Sequence, residues 1–130
     1  MRKITIRVVC SLLITAVSIL ACLTTNAAIV FSKDNSPYNI TEDIVITNND
    51  TIIISAGTTL IISPSINITT NGAILIFGVP EDPVLLLPEF EGIGWGKIEI
   101  NCPGKTSIIN NASIVDGTIF SQYCDMALDN

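Results

Sequence analysis

Histidine is absent from this sequence, and its two arginines, Arg2 and Arg7, both lie in the first seven residues. The missing imidazole removes the usual general base and the commonest metal ligand. A Ser-His-Asp triad is therefore out of reach. No Cys-x-x-Cys pair occurs, which argues against a zinc site. There is no Gly-x-Ser-x-Gly elbow, no Gly-x-x-x-x-Gly-Lys phosphate loop and no Asp-x-Asp-x-Asp-Gly calcium loop. Aromatic residues make up 5% and charged residues 14% of the chain; Lys+Arg total 6 against 12 Asp+Glu, for a net charge of −6. Nucleic-acid binding needs a basic footprint, so that class is excluded as well. What the chain does have is hydrophobic residues, 48% of 130. That is enough for one domain and too much for a disordered chain.

The N-terminus reads as an export signal. Met1-Arg2-Lys3 and Arg7 precede the uncharged apolar run Val8–Ala21, a length typical of a signal-peptide core and short for a membrane span. Two processing sites compete. Thr25-Asn26-Ala27 places small residues where signal peptidase reads them, giving a mature chain from Ala28. Ile19-Leu20-Ala21-Cys22 resembles a lipobox, which would make Cys22 a lipidated N-terminus, although Leu20 stands where a smaller residue is usual. The expected location is secreted or at the cell surface, with lipid anchoring at Cys22 the alternative and no membrane insertion once the signal is gone. An uncleaved anchor is the remaining reading. Removal of 1–27 leaves three lysines against all 12 acids, a net charge of −9. Cys102 and Cys124 also remain, and an even pair in an exported chain predicts a disulfide.

Beyond residue 30 the pattern is all β. The chain holds 24 isoleucines, and with Val and Thr these β-branched residues favour strands. They alternate in short groups broken by Gly, Pro, Asn, Asp or Ser: Ile44/Ile46, Ile52/Ile54, Leu60/Ile62, Ile66/Ile68, Ile74/Ile76, Leu85/Leu87, Ile98/Ile100 and Ile108. The groups recur. Ile44/Ile46 to Ile66/Ile68 and Ile52/Ile54 to Ile74/Ile76 are steps of 22, the latter continuing to Ile98/Ile100 by 24; Leu60/Ile62 leads to Leu85/Leu87 by 25, and Leu87 to Ile108 by 21. A period in the twenties marks a solenoid, whose coils bury their inward residues only by stacking. This predicts a short right-handed parallel β-helix of about four coils over 44–130, with 28–43 as an N-terminal cap. The alternative is a β-sandwich, for which Asn71-Gly72 between Ile68 and Ile74 is a hairpin signal. Cys102 and Cys124 are spaced by one such repeat. Stacked coils put residues one repeat apart within about 4.8 Å of each other, inside bridging range. The bridge needs Ile98 to stack on Phe120; a stack on Ile119 would turn Cys124 to the other face.

The stretches Ile54-Ser-Ala-Gly57-Thr58-Thr-Leu60-Ile-Ile62 and Gly72-Ala-Ile74-Leu-Ile76-Phe-Gly78, the turn Val79-Pro80-Glu81-Asp82-Pro83 and the strand entry Gly94-Trp95-Gly96-Lys97-Ile98 resemble the N-terminal coils of secreted right-handed parallel β-helix proteins of the pectin-lyase-like kind. The resemblance covers 52–120. It implies a fold shared by enzymes, adhesins and structural proteins, so it carries no single activity. Enzymes of that kind use clustered acids on Ca²⁺ with a basic proton acceptor. Here the neighbouring acids are Glu42/Asp43, Glu81/Asp82, Glu89/Glu91 and Asp125/Asp129, and the bases near acids are Lys97 and Lys105. All read more simply as solvated turn charges. Trp95 is either a sugar platform or a core residue. Asn39, Asn49, Asn67 and Asn111 begin Asn-x-Ser/Thr sequons, but Asn at coil corners also hydrogen-bonds along the stack. The chain is thus expected to be a non-catalytic exported β-helix without cofactor or metal, presenting a surface for binding or adhesion to polysaccharide or protein. A fragment of a polysaccharide-active enzyme and a structural spacer are the alternatives.

Overall fold

The computed structural model describes residues 27–47 and 50–129; apart from its last residue, Ala27, the expected signal sequence, including Cys22, lies outside these residues. Among the described residues thirteen short strands rotate through three sheets. Sheet A holds β1 (Ala28–Phe31), β4 (Thr51–Ser55), β7 (Ala73–Phe77), β10 (Thr106–Asn110) and β13 (Asp125–Asp129). Sheet B holds β2 (Tyr38–Ile40), β5 (Thr59–Ile62), β8 (Val84–Pro88) and β11 (Ala112–Ile114). Sheet C holds β3 (Ile44–Ile46), β6 (Ile68–Thr70), β9 (Lys97–Asn101) and β12 (Thr118–Gln122). Each ladder between these strands is parallel. The architecture is a parallel β-solenoid of about four coils, not a sandwich. Residues 28–43 contribute β1 and β2, which pair with β4 and β5 as rungs of the first coil.

The core is the lumen. Ile52, Ile54, Leu60, Ile62, Ile68, Ile74, Ile76, Val84, Leu86, Ile98 and Ile100 point inward and are buried. Period-two alternation sends one face of every strand inside. Three buried hydroxyls share the lumen, those of Thr58, Thr70 and Ser107. Each one bonds to a backbone group: Ser107 Oγ, for example, accepts the Ile74 N–H at 3.1 Å, just where the β7–β10 ladder has yet to begin.

One expected stack holds and the others shift. Ile52/Ile54 lie on Ile74/Ile76 as the repeat requires. Ile98/Ile100 do not continue that ladder. They stack on Ile68/Thr70 in sheet C, and Ile76 meets Ile109. The cause is an enlarged third coil. Sheet A passes from Ile53 to Leu75 in one turn of the chain, but the next turn does not return until Ile108. Ile44 lies on Ile68, not Ile66, because a turn with Ser65 at φ 67° delays β6. Leu60 lies on Leu86, not Leu85, so Val84 and Leu86 face inward. The Val-Leu-Leu-Leu run has no polar alternation to reveal its phase. Ile108 correspondingly pairs with Leu75, while Leu85 pairs with Ser113. Asn71-Gly72 is a coil corner, not a hairpin. A side chain at Gly72 would meet the Asp50 carbonyl oxygen of the coil below, so glycine permits close stacking there.

Cys102 and Cys124 form a disulfide, with their Cα atoms 5.0 Å apart. The register is the unfavourable one, Ile98 on Ile119 and Asn101 on Gln122. Tyr123, at φ 56°, absorbs the extra residue in a left-handed kink and returns Cys124 to Cys102. Such a bond belongs to an oxidising environment. Among the described residues no helix is long and apolar enough to cross a membrane.

Candidate functional site

The outward face of sheet C gathers chemistry that the sequence scattered over four coils. Register places Val45, Thr69, Glu99 and Phe120 in one line across the strands. Lys97 lies beside Thr118, and Asn101 beside Gln122. Because strand side chains alternate, Lys97, Glu99 and Asn101 must share this face while Ile98 and Ile100 fill the lumen.

Lys97 Nζ lies 2.6 Å from Glu99 Oε2 and 5.8 Å from the centre of the Phe120 ring. Asn101 Nδ2 donates to the other Glu99 oxygen at 3.4 Å. The Lys97 hydrogen bond, then that of Asn101, lower the Glu99 pKa. A carboxylate held ionised in this way suits a fixed polar platform; a glycosidase's general acid needs the opposite shift. Phe120 is 45% exposed. Next to it is a shallow hollow of about 420 Å³ lined by Asn67, Gly96, Lys97, Thr118 and Phe120.

Asn67 anchors the floor. Its backbone N–H donates to Asp43 Oδ1 at 2.8 Å, its own Oδ1 accepts the Lys97 N–H at 3.2 Å, and its Nδ2 donates to the Ser65 carbonyl. These bonds bind three successive coils at one corner. Of the other sequon residues, Asn39 is exposed on β2. Asn111 sits at φ 43° with its amide toward the Gly78 carbonyl, and Asn49 lies outside the described residues.

The remaining candidates are dispersed. Asp82 forms an ion pair with Lys33. Glu89 accepts a hydrogen bond from Ser63 Oγ at 2.6 Å. Asp50 takes hydrogen bonds from the Thr47 hydroxyl and the Ala27 N–H, and these lower its pKa. Asp43 serves the Asn67 backbone, Glu42 and Glu91 are exposed, and Asp125 and Asp129 flank the last strand. Lys105 adds a favourable charge near Asp50. No group of three or more metal-ligating side chains assembles among the described residues. Trp95 is buried. Its indole N–H donates to the Val115 carbonyl at 2.8 Å, and it packs so closely on Gly117 that any side chain there would overlap the ring. It is a core residue and not a sugar platform.

Sequence reasoning singled out Lys97 and missed Phe120 as its ring partner and Asn101 as a donor to Glu99. The alternation Lys-Ile-Glu-Ile-Asn was legible as one face. The facing strand was not, because β12 has a single well-placed apolar residue, Ile119. No protein-family model, no curated protein and no solved structure matches the chain.

Proposed function

We propose that this chain is an exported, non-catalytic β-solenoid of the pectin-lyase-like kind, and that the outer face of sheet C binds a neutral surface polysaccharide. The observation that carries the reading is the alignment of Phe120 with the Lys97–Glu99–Asn101 row beside an open hollow. A half-exposed ring offers a stacking face to the apolar side of a sugar. Amides and hydroxyls at Asn101, Gln122, Thr69 and Thr118 supply donors and acceptors on the same plane. The cation at the face is already matched by Glu99, and the exported chain carries −9, so a polyanion would be repelled. Affinity electrophoresis in gels of neutral and of acidic polysaccharides tests the reading. Retardation by a neutral polymer that Phe120→Ala reduces at least about tenfold is expected. Equal mobility of the two proteins in every gel refutes it. Release of reducing ends during the run would instead reveal an enzyme.

A further inference from the structure

We propose a second, separate docking element: the corner 89–96, which presents Phe90 and Ile93 to a protein partner carrying an apolar pocket rimmed by Lys or Arg.

The corner lies between β8 and β9 and helps make the third coil longer than its neighbours. In solenoids such per-coil insertions collect binding functions. Its tip is a tight turn. The Ile93 N–H donates to the Phe90 carbonyl at 3.1 Å, and Gly92, third in the turn, has φ 75°. A type II turn demands that conformation at that position, and glycine supplies it without strain. The turn brings its first and fourth residues together, so Phe90 and Ile93 stand side by side. They are 52% and 51% exposed and belong to no part of the lumen.

Both ends of the corner are clamped. The Glu89 N–H donates to the Ile62 carbonyl at 2.9 Å, and the Trp95 N–H to the Asp116 carbonyl at 3.2 Å. The buried Trp95 indole holds Val115, itself 39% exposed, against the same base. A single surface hydrophobe needs no explanation. Two held together at a rigid tip with no role in the core form a preformed anchor, whose ordering cost falls on folding and not on binding. Anchors of this kind, a ring in a pocket with a polar rim, dominate binding energy where they occur.

Charge selects the partner. Glu89 and Glu91 flank Phe90, Asp116 lies at the base, and the corner contains no cation of its own. A cationic rim complements this arrangement and speeds encounter. The same acids disfavour insertion into an anionic bilayer.

The test places p-benzoylphenylalanine at position 90 of the full exported protein and irradiates it with the cells that produce it. A protein adduct is expected. That protein, purified, should bind the unsubstituted chain, lose at least about tenfold in affinity with Phe90→Ser or Ile93→Ser, and lose affinity with Glu91→Lys as well. Binding should weaken with salt. Phe120→Ala should leave it unchanged, which separates this surface from the sheet C face. Both serine variants replace exposed side chains, so their melting temperatures should match the parent and confirm intact folds. Any of four results overturns the proposal: no protein adduct, insertion of the tip into phosphatidylcholine vesicles, self-association as the sole adduct, or a partner indifferent to the serine variants.

Discussion

The first and last coils have the same topology and the same single neighbour in each sheet, yet they are sealed differently. In the first coil, inward Phe31, Ile40 and Ile46 are buried. Tyr38 sets its ring edge-on to Phe31 at 5.0 Å, and its hydroxyl both accepts the Ser32 N–H and donates to the Ser32 carbonyl. The Lys33–Asp82 ion pair and the Thr59 N–H donated to Ser36 Oγ tie this coil to the ones above. In the last coil no residue of β11, β12 or β13 is buried; inward Ile114, Ile119 and Met126 are half-covered and Leu128 is 68% exposed. What that coil has instead is the Cys102–Cys124 bond. A parallel ladder alone therefore does not make a coil a buried one. One terminus is held by packing and side-chain hydrogen bonds, the other by a covalent link.

The largest expected effect removes the contrast altogether. Ile74→Asp would bury an unpaired carboxylate in the middle of the lumen and should cost several kcal/mol, so that both end coils unfold together; circular dichroism retaining half the strand signal would contradict a single cooperative stack. Next, replacing both Cys102 and Cys124 by Ser should cost about 3 kcal/mol through the freed loop. Hydrogen exchange should then accelerate in β12 and β13 while β1 and β2 keep their protection. Acceleration of the first coil to the same extent would erase the distinction drawn above. Smaller still, Tyr38→Phe keeps the ring on Phe31 but removes both hydrogen bonds to Ser32. Here the first coil alone should loosen, visible as faster exchange at Ser32 and Tyr38.

The smallest effect is electrostatic. Glu99 has a lowered pKa in the folded chain, so its ion pair stabilises above the unfolded carboxylate range near about pH 4 and that contribution is lost as pH falls through the folded value. NMR titration should give a Glu99 midpoint below that of an ordinary glutamate, and Lys97→Ala should move it back up. A midpoint indifferent to Lys97 would remove the electrostatic basis of the sheet C platform.

The solenoid was legible in the sequence because apolar groups recurring in the twenties demand stacked coils, and the disulfide because Cys102 and Cys124 are spaced by one repeat, although the register behind that expectation does not occur. The stack of Ile52/Ile54 on Ile74/Ile76 shows the former, since Thr51–Ser55 and Ala73–Phe77 are strands of equal length one 22-residue step apart. Register failed wherever a corner changed length. Longer corners at 78–83, 89–96 and 102–105 delayed the return to sheet A until Ile108, leaving Ile98 in sheet C, and Tyr123 hid a compensating kink that no residue pattern announces, since left-handed backbone is uncommon outside Gly and Asn. The candidate site was half visible. One strand supplies Lys97 and Glu99 in plain alternation. Their relation to Phe120 depends on Ile98 stacking on Ile119, a much shorter step than the one that carries Leu75 to Ile108.

That spread of steps has a consequence for how the molecule accepts change. Ile53 is matched by Leu75, Leu75 by the far more distant Ile108, and Ile108 by the much nearer Ala127, yet all these rungs are parallel and in phase. Length is thus stored at the corners, and orientation is stored in the strands. A foreign peptide spliced into the corner 89–96, already longer than its counterpart 63–67 in the coil before, enters at a site that tolerates surplus chain at the expense of the Phe90–Ile93 tip. An odd number of residues added inside β9 would instead invert the side chains of the remainder of that strand. The scaffold therefore behaves as a set of independent sockets on a common spine, and its surface is open to rewriting without renegotiating its interior.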